Sequence, residues 1–235
     1  MKFHFKEFTI AQDKTAMKVG TDGVLLGAWT SIKNNPSFIL DIGTGTGVIA
    51  LQLAQRCNAE LIDALEIDDK AYEQAVDNFE QSNWGDRLFC YHASLAEFVD
   101  EIEDKYDLIV ANPPFYTDDY KSDNKERNLA RFTDSLSFEE LLESVSLLLS
   151  KNGSFSVIIP FKEEESFLLL AKKFNLFPNR ICNVKGNVNA PIKRSLIALS
   201  FQNNDFTKTE LILEIERHQY TTAYTDLVKD FYLKM

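Results

Sequence analysis

The chain has 235 residues, 45% of them hydrophobic, with only 9 glycines and 6 prolines; this is enough to bury a sizeable core and excludes a collagen-like or low-complexity polymer. Lysine and arginine number 25 against 36 aspartates and glutamates, and the formal net charge of −11 excludes indiscriminate nucleic-acid binding, because phosphate contacts need clustered cations. No apolar run approaches the roughly 18 residues of a membrane span, the start Met1-Lys2-Phe3-His4-Phe5-Lys6-Glu7 has no signal-like apolar core, and the separated Cys57, Cys90 and Cys182 read as thiols, so a cytoplasmic monomer is expected.

In chain order, the first 35 residues are expected to form a hairpin and a helix, a small cap within a single domain of residues 1–235. Ser37 to Ile42 reads as a strand, bounded by Pro36 before and glycines after. Val48 to Gln55 has helical spacing, and Leu61 to Glu66 is a second strand. Asp69 to Gln81 is a charged amphipathic helix with Ala71, Ala75, Val76 and Phe79 inward. Leu88 to His92 and Tyr106 to Ala111 are further strands, and Thr117 to Asp134 reads as a polar loop. Ser137, with Glu140 three residues on, caps a helix from Phe138 to Leu149, and Gly153 follows its end. Ser154 to Pro160 is a strand and Glu163 to Phe174 a helix whose acidic start suits the dipole. Strands near Arg180 to Val184 and Ser195 to Phe201 close the sheet; the tail adds a strand, Glu210 to Arg217, and a short helix, Thr225 to Tyr232. Strands alternating with helices of this length mean crossover units: an α/β fold with a mostly parallel, seven-stranded sheet and helices on both faces.

Three motifs carry chemistry. Asn112-Pro113-Pro114-Phe115 follows the apolar run Asp107 to Ala111, and two consecutive prolines cannot continue a ladder. A strand therefore ends there and leaves an amide and an aromatic ring at its carboxyl end, where open α/β sheets bind ligands. An amide oxygen can accept from an exocyclic amine, and a ring can stack on a base. Asp41-Ile42-Gly43-Thr44-Gly45-Thr46-Gly47 joins the first strand of the alternating series to a helix. It lacks the sixth-position glycine of a dinucleotide loop, since Val48 stands there, and its acid suits the cationic methionine end of S-adenosylmethionine better than a pyrophosphate. Glu66, ending the next strand, can accept hydrogen bonds from ribose hydroxyls. His4, His92 and His218 have no partners at metal-ligand spacing, and no metal is expected. Trp29 and Trp84 read as packing residues.

With these motifs in this order, the chain resembles the class I S-adenosylmethionine-dependent methyltransferases of the amino-methylating group, which are Rossmann-like. More narrowly it resembles the bacterial tRNA1(Val) adenine methyltransferases, which act on the adenine just 3′ of the anticodon, position 37. The segments are Lys18 to Trp29, Asp41 to Gly47, Asn112 to Tyr116, Arg127-Asn128-Leu129-Ala130-Arg131, Leu136 to Leu142, Lys193-Arg194 and Lys229 to Leu233. The resemblance implies that Asp41, Gly43 and Gly45 line the methionine side of the cofactor and that Glu66 holds its ribose. It places Thr21 and Asp22, with the N-terminal cap, over the carboxypropyl end. Relatives carry an acid for the cofactor's adenine where this chain has His92-Ala93-Ser94, so Ser94 or backbone takes that contact. Asn112 and the Pro113 carbonyl receive the target amine, Phe115 stacks on the flipped base, and Tyr116 shapes the pocket. Arg127 and Arg131, with Lys121 and Lys125, and then Lys193 and Arg194, with Lys185 nearby, offer cations to the tRNA. Two alternatives stay open: an amino methyltransferase acting on protein glutamine or on other RNA or DNA, and a non-catalytic RNA-binding module on the same fold.

Overall fold

The computed structural model describes residues 1–114 and 136–234. A hairpin of β1 (Lys2–His4) and β2 (Thr9–Ala11) leads to α1 (Thr21–Trp29). There follow β3 (Phe38–Ile42), α2 (Val48–Arg56), β4 (Leu61–Glu66), α3 (Asp69–Glu80), β5 (Leu88–His92), α4 (Leu95–Glu101) and β6 (Tyr106–Ala111). After the segment outside the described residues come α5 (Phe138–Leu148), β7 (Leu149–Pro160), a 3₁₀ turn (Phe161–Glu163) and α6 (Glu164–Lys173). The chain then runs through β8 (Phe177–Asn187), β9 (Ile192–Ser200), β10 (Thr207–Glu216), β11 (Gln219–Tyr220) and α7 (Thr222–Val228).

The main sheet has the order β11-β10-β8-β9-β7-β6-β3-β4-β5. The five strands β5-β4-β3-β6-β7 are parallel, β9 is antiparallel to both β7 and β8, and the tail strands β10 and β11 extend the expected seven strands to nine. From β3 the chain winds outward through β4 to β5, then returns to β6 on the other side of β3. The crevice between β3 and β6 is therefore the topological switch point, where such sheets open for ligands.

Side-chain alternation divides the interior into two layers. Ile39, Leu108, Val110, Ile158 and Leu196 face a cluster with α1, α2, α3 and α7. Leu40, Ile109, Ala111, Val157, Ile159 and Ile197 face the opposite cluster with α4, α5 and α6. Helices thus cover both faces, as the near-continuous apolar strands require.

Three differences from the sequence expectation have identifiable causes. Helix α4 went unread although Ser94-Leu95-Ala96-Glu97 spells a capping box: Ser94 Oγ accepts from the Glu97 N–H and the Glu97 carboxylate accepts from the Ser94 N–H. β7 begins at Leu149, not Ser154, so Gly153 lies inside a strand. A Cβ there would approach the Tyr106 carbonyl oxygen to 2.9 Å, so the glycine admits a close backbone approach and does not stop a helix. The last helix starts earlier, because Thr221 Oγ1 accepts from the Tyr224 N–H and fixes its first turn.

The amino-terminal hairpin is held by distant parts of the chain. Phe5 bridges Tyr232, the Lys6 N–H donates to the Phe231 carbonyl at 2.9 Å, and Phe3, Phe5 and Phe8 pack with Tyr232 and Trp84. Buried Asn78 of α3 takes the Ala11 N–H on its oxygen and donates its amide to the carbonyls of Ala11 and Thr46, all within 2.9 Å. One side chain therefore ties the segment after the hairpin to the glycine-rich loop.

That loop ends at Gly47, which has φ +81° and opens α2; a Cβ there would lie 2.5 Å from the Phe79 ring. Gly47→Ala is expected to lower unfolding free energy by about 1–3 kcal/mol, from the left-handed backbone together with overpacking. Urea denaturation measures it, and an unchanged midpoint would show that Phe79 and the turn yield freely.

Candidate active site

The site is built on the carboxyl ends of β3, β4 and β6. Asp41, in β3, is fully buried. Its Oδ2 accepts from Thr44 Oγ1 at 2.6 Å and from the Ala50 N–H at 3.2 Å, so one carboxylate oxygen pins the loop to the first turn of α2. Its Oδ1 is buried and has no hydrogen-bond partner among the described residues. Burial pushes the Asp41 carboxyl up to about 7, opposed by those two hydrogen bonds and reinforced by the nearby Glu66 charge.

Gly43 and Gly45 both have positive φ, +68° and +58°, and a Cβ built on either would touch nothing within 4 Å. Left-handed backbone beside open space is the form of a loop that a ligand approaches closely. Glu66 braces it from the next strand: Oε2 accepts the Gly45 N–H at 2.8 Å, and Oε1 accepts the N–H groups of Ile67 and Asp68 at 2.9 Å each. A carboxylate has about four acceptor positions, so a further donor can still be received.

β6 ends beside this loop. Ile42 pairs with Ala111, so Gly43 and Asn112 leave the sheet side by side. Asn112 is half-buried, Pro113 buried and Pro114 exposed. The first turn of α1 closes the third side: a Cβ on buried Gly23 would lie 3.2 Å from the Val48 side chain and 3.9 Å from Asn112 Nδ2. α1 has Gly20 as its N-cap and no side-chain cap among the described residues, so its first N–H groups have no capping side chain. Thr21 is exposed and Asp22 half-buried in that turn.

The structure thus brings together Thr21, Asp22, Asp41, Gly43, Gly45, Glu66, Asn112 and Pro113 at one end of the sheet. Ser94 lies at the end of β5, where its hydroxyl gives its proton to Glu97 Oε2 at 2.7 Å and serves the α4 cap. Lys193 is exposed at the start of β9, while Arg194 is half-buried and ion-paired with Asp22 at 2.8 Å. Phe115, Tyr116, Arg127 and Arg131, with Lys121 and Lys125, lie outside the described residues. Sequence reasoning missed Ile67, which follows Glu66 and is 64% exposed, an apolar surface left at the mouth of the site. An aliphatic residue directly after the strand-ending acid was the available signal. It missed Gly23 as well, whose need is set by the distant Asn112 and Val48. Cys90, beneath the site, is pushed up to about 12 by burial and the charges of Glu66 and Asp41, so it stays a thiol.

Residues 24–177 match the family model of the methyltransferase small domain. A protein of Flavobacterium johnsoniae named tRNA1(Val) (adenine(37)-N6)-methyltransferase is 61% identical over 99% of this chain and 100% of its own length. A protein of the same name from Christiangramia forsetii is 59% identical, over 99% of this chain and 98% of its own. The chain belongs to the tRNA1(Val) (adenine(37)-N6)-methyltransferase family. Membership over the whole length separates it from the glutamine-methylating and non-catalytic readings and makes it an enzyme whose methyl donor is S-adenosylmethionine. The fold is also that of a crystal structure of a predicted O-methyltransferase, protein Atu636 of Agrobacterium tumefaciens. That structure is 17% identical with a TM-score of 0.70, covering 89% of this chain and 96% of the other.

The residues present fit this cofactor. The free Asp41 oxygen and the half-buried Asp22 suit a cationic amino-acid end, and the open space over Gly43 and Gly45 admits its chain. A carboxyl held near 7 is neutral in acid and charged above neutrality. In the free protein its contribution to stability is present below the unfolded value near 4 and is lost as pH rises through about 7. A cationic ligand reverses that preference. Affinity for S-adenosylhomocysteine should therefore rise with pH through about 7. The ligand's α-amino group, once it loses its proton at higher pH, weakens binding. Calorimetry from pH 6 to 8 with wild type and Asp41→Asn isolates the carboxyl, and equal pH profiles for the two would show that Asp41 does not meet the ligand.

Proposed function

We propose that this chain methylates the exocyclic N6 amino group of adenine 37 in tRNA1(Val), with Asn112 and the Pro113 carbonyl receiving the amine. The observation that carries the residue roles is the placement of Asn112 at the end of β6 directly beside the left-handed loop at the end of β3, with the start of α1 closing over both. S-adenosylmethionine, when bound, supplies a methyl group on a sulfonium whose leaving group is a neutral thioether. The remaining task of the protein is positioning and electrostatics.

Asp41 and Asp22 hold the amino-acid end, the first turn of α1 with Thr21 faces its carboxylate, and Gly43 and Gly45 make room for its chain. Glu66 takes the ribose hydroxyls, and exposed Ile67 gives the adenine an apolar face. Residues 1–35 form a cap over the amino-acid end: Asn78 ties this segment to the loop, and Gly23 sets α1 against Asn112. On the substrate side, adenine's amine has its lone pair delocalised into the ring. Acceptors at the Asn112 side chain and the Pro113 carbonyl favour tetrahedral character there and aim the nitrogen. Phe115 stacks on the extruded base and Tyr116 shapes its pocket. An adenine in a loop is largely unpaired, so extrusion costs only a few kcal/mol. The amine loses one proton to water after transfer. Lys193 and the cations of the 121–131 segment, Arg127 and Arg131 among them, offset an acidic protein locally. Among the described residues no helix is long and apolar enough to cross a membrane, and the reaction belongs to the cytoplasm, where tRNA is found and free thiols such as Cys57, Cys90 and Cys182 persist.

The test is mass spectrometry of nucleosides from purified tRNA1(Val) in cells with and without the gene. N6-methyladenosine at position 37 should vanish on deletion and return with wild type; its persistence would reject the substrate. Asn112→Ala should leave S-adenosylhomocysteine affinity near normal and lower kcat by about a hundredfold, the scale of one lost preorganised polar contact. Single-turnover kinetics measures this, and near-normal turnover would remove Asn112 from the chemistry.

A further inference from the structure

Arg194 and Asp22 stand 172 residues apart in the chain, yet Arg194 Nε donates to Asp22 Oδ2 at 2.8 Å. The arginine sits on paired backbone near the start of β9: Arg194 is opposite Pro160 of β7 on one side and Val184 of β8 on the other. A second donor, Nη1, reaches the Lys193 carbonyl at 3.1 Å. The two side chains are 33% and 30% exposed, so the pair is partly shielded from water and salt, unlike a surface ion pair.

The aspartate end of this link is the second residue of α1. Its neighbour Gly23 is the point at which α1 touches Asn112 and Val48. Among the described residues no side chain caps the helix. A phosphate-reading arginine offers its planar fork outward for bidentate contact. Here one edge of the guanidinium is spent on Asp22 and another donor on the backbone.

We propose that Arg194 is a positioning residue for the cofactor and not a reader of RNA: it anchors Asp22, and through it the start of α1, from the rigid end of β9. This rests on the placement of the cofactor under "Proposed function". Loss of the link frees the first turn of α1 without removing any group from the target adenine. The cost therefore falls on cofactor affinity, while turnover at saturating cofactor is kept. Lys193, exposed and adjacent, remains the tRNA-facing cation of this strand.

The experiment uses the full chain with S-adenosylhomocysteine as the calorimetric probe and tRNA1(Val) transcript for salt-dependent binding. Arg194→Gln and Asp22→Asn should each weaken the probe by about tenfold, the scale of a charge-assisted hydrogen bond. The double variant should lose no more than Asp22→Asn alone, which removes both the link and a ligand contact, and Arg194→Lys should recover part of the affinity. In Arg194→Gln, KM for S-adenosylmethionine should rise with kcat little changed, and the salt slope of RNA binding should match wild type. Unchanged probe affinity in Arg194→Gln overturns the proposal. So does a salt slope shallower by about one with probe affinity intact, which would return Arg194 to the RNA surface. A purely structural arginine would show additive losses in the double variant and an unchanged KM after correction for unfolded protein, and that outcome also rejects it. Wild type that does not bind the probe would reject the cofactor reading itself, a result distinct from all of these.

Discussion

A carboxylate sealed from water is the constraint on which the site depends. Asp41 spends one oxygen holding Thr44 and Ala50, which fixes the glycine-rich turn against the start of α2, and keeps the other buried without a partner. An arrangement of this kind costs free energy when the carboxylate is charged and unmatched. Glu66 places a second carboxylate beside it, braced on three backbone N–H groups. Together with Asp22 at the start of α1, the carboxyl ends of β3 and β4 form a region that a cation stabilises. Part of the surplus negative charge of the chain is thus concentrated at this end of the sheet, and it does not by itself conflict with an RNA substrate approaching from elsewhere.

Geometry follows from the sheet. Because β3 and β6 are neighbours although not consecutive, the loop after one and the Asn-Pro-Pro corner after the other emerge side by side. The corner is stiff because its two prolines have fixed φ and no N–H to bond. The glycine-rich turn and the Asn-Pro-Pro corner are therefore brought together by the strand order, with the start of α1 beside both. Asn78 and Arg194 hold this region from opposite ends, one through the Ala11 segment and one through Asp22.

Much of this was legible in the chain itself. Strand-ending acids, a glycine run and paired prolines are local signals, since each reports what the backbone can do at its own position, and β3, β4 and β6 lie where those signals put them. What was not legible depends on contacts far apart in sequence. Gly153 looks like a helix stop until Tyr106 arrives beside it. That Arg194 Nε meets Asp22 is likewise a contact that no local pattern announces. The capping box at Ser94 is a different kind of omission: the pattern was present, and its hydroxyl was claimed for a ligand when the helix start already used it. The tail strand was expected, but its parallel pairing with β8, which widens the sheet, depends on a register that no local pattern carries.

The hairpin at the front of the chain rests on Phe231 and Tyr232, and those contacts cannot form before the ribosome has delivered residues more than two hundred positions downstream. The central strands can pair while synthesis continues, yet the aromatic seat of the hairpin must wait. A nascent molecule is therefore barred from finishing that end of the fold until Phe231 and Tyr232 have been made.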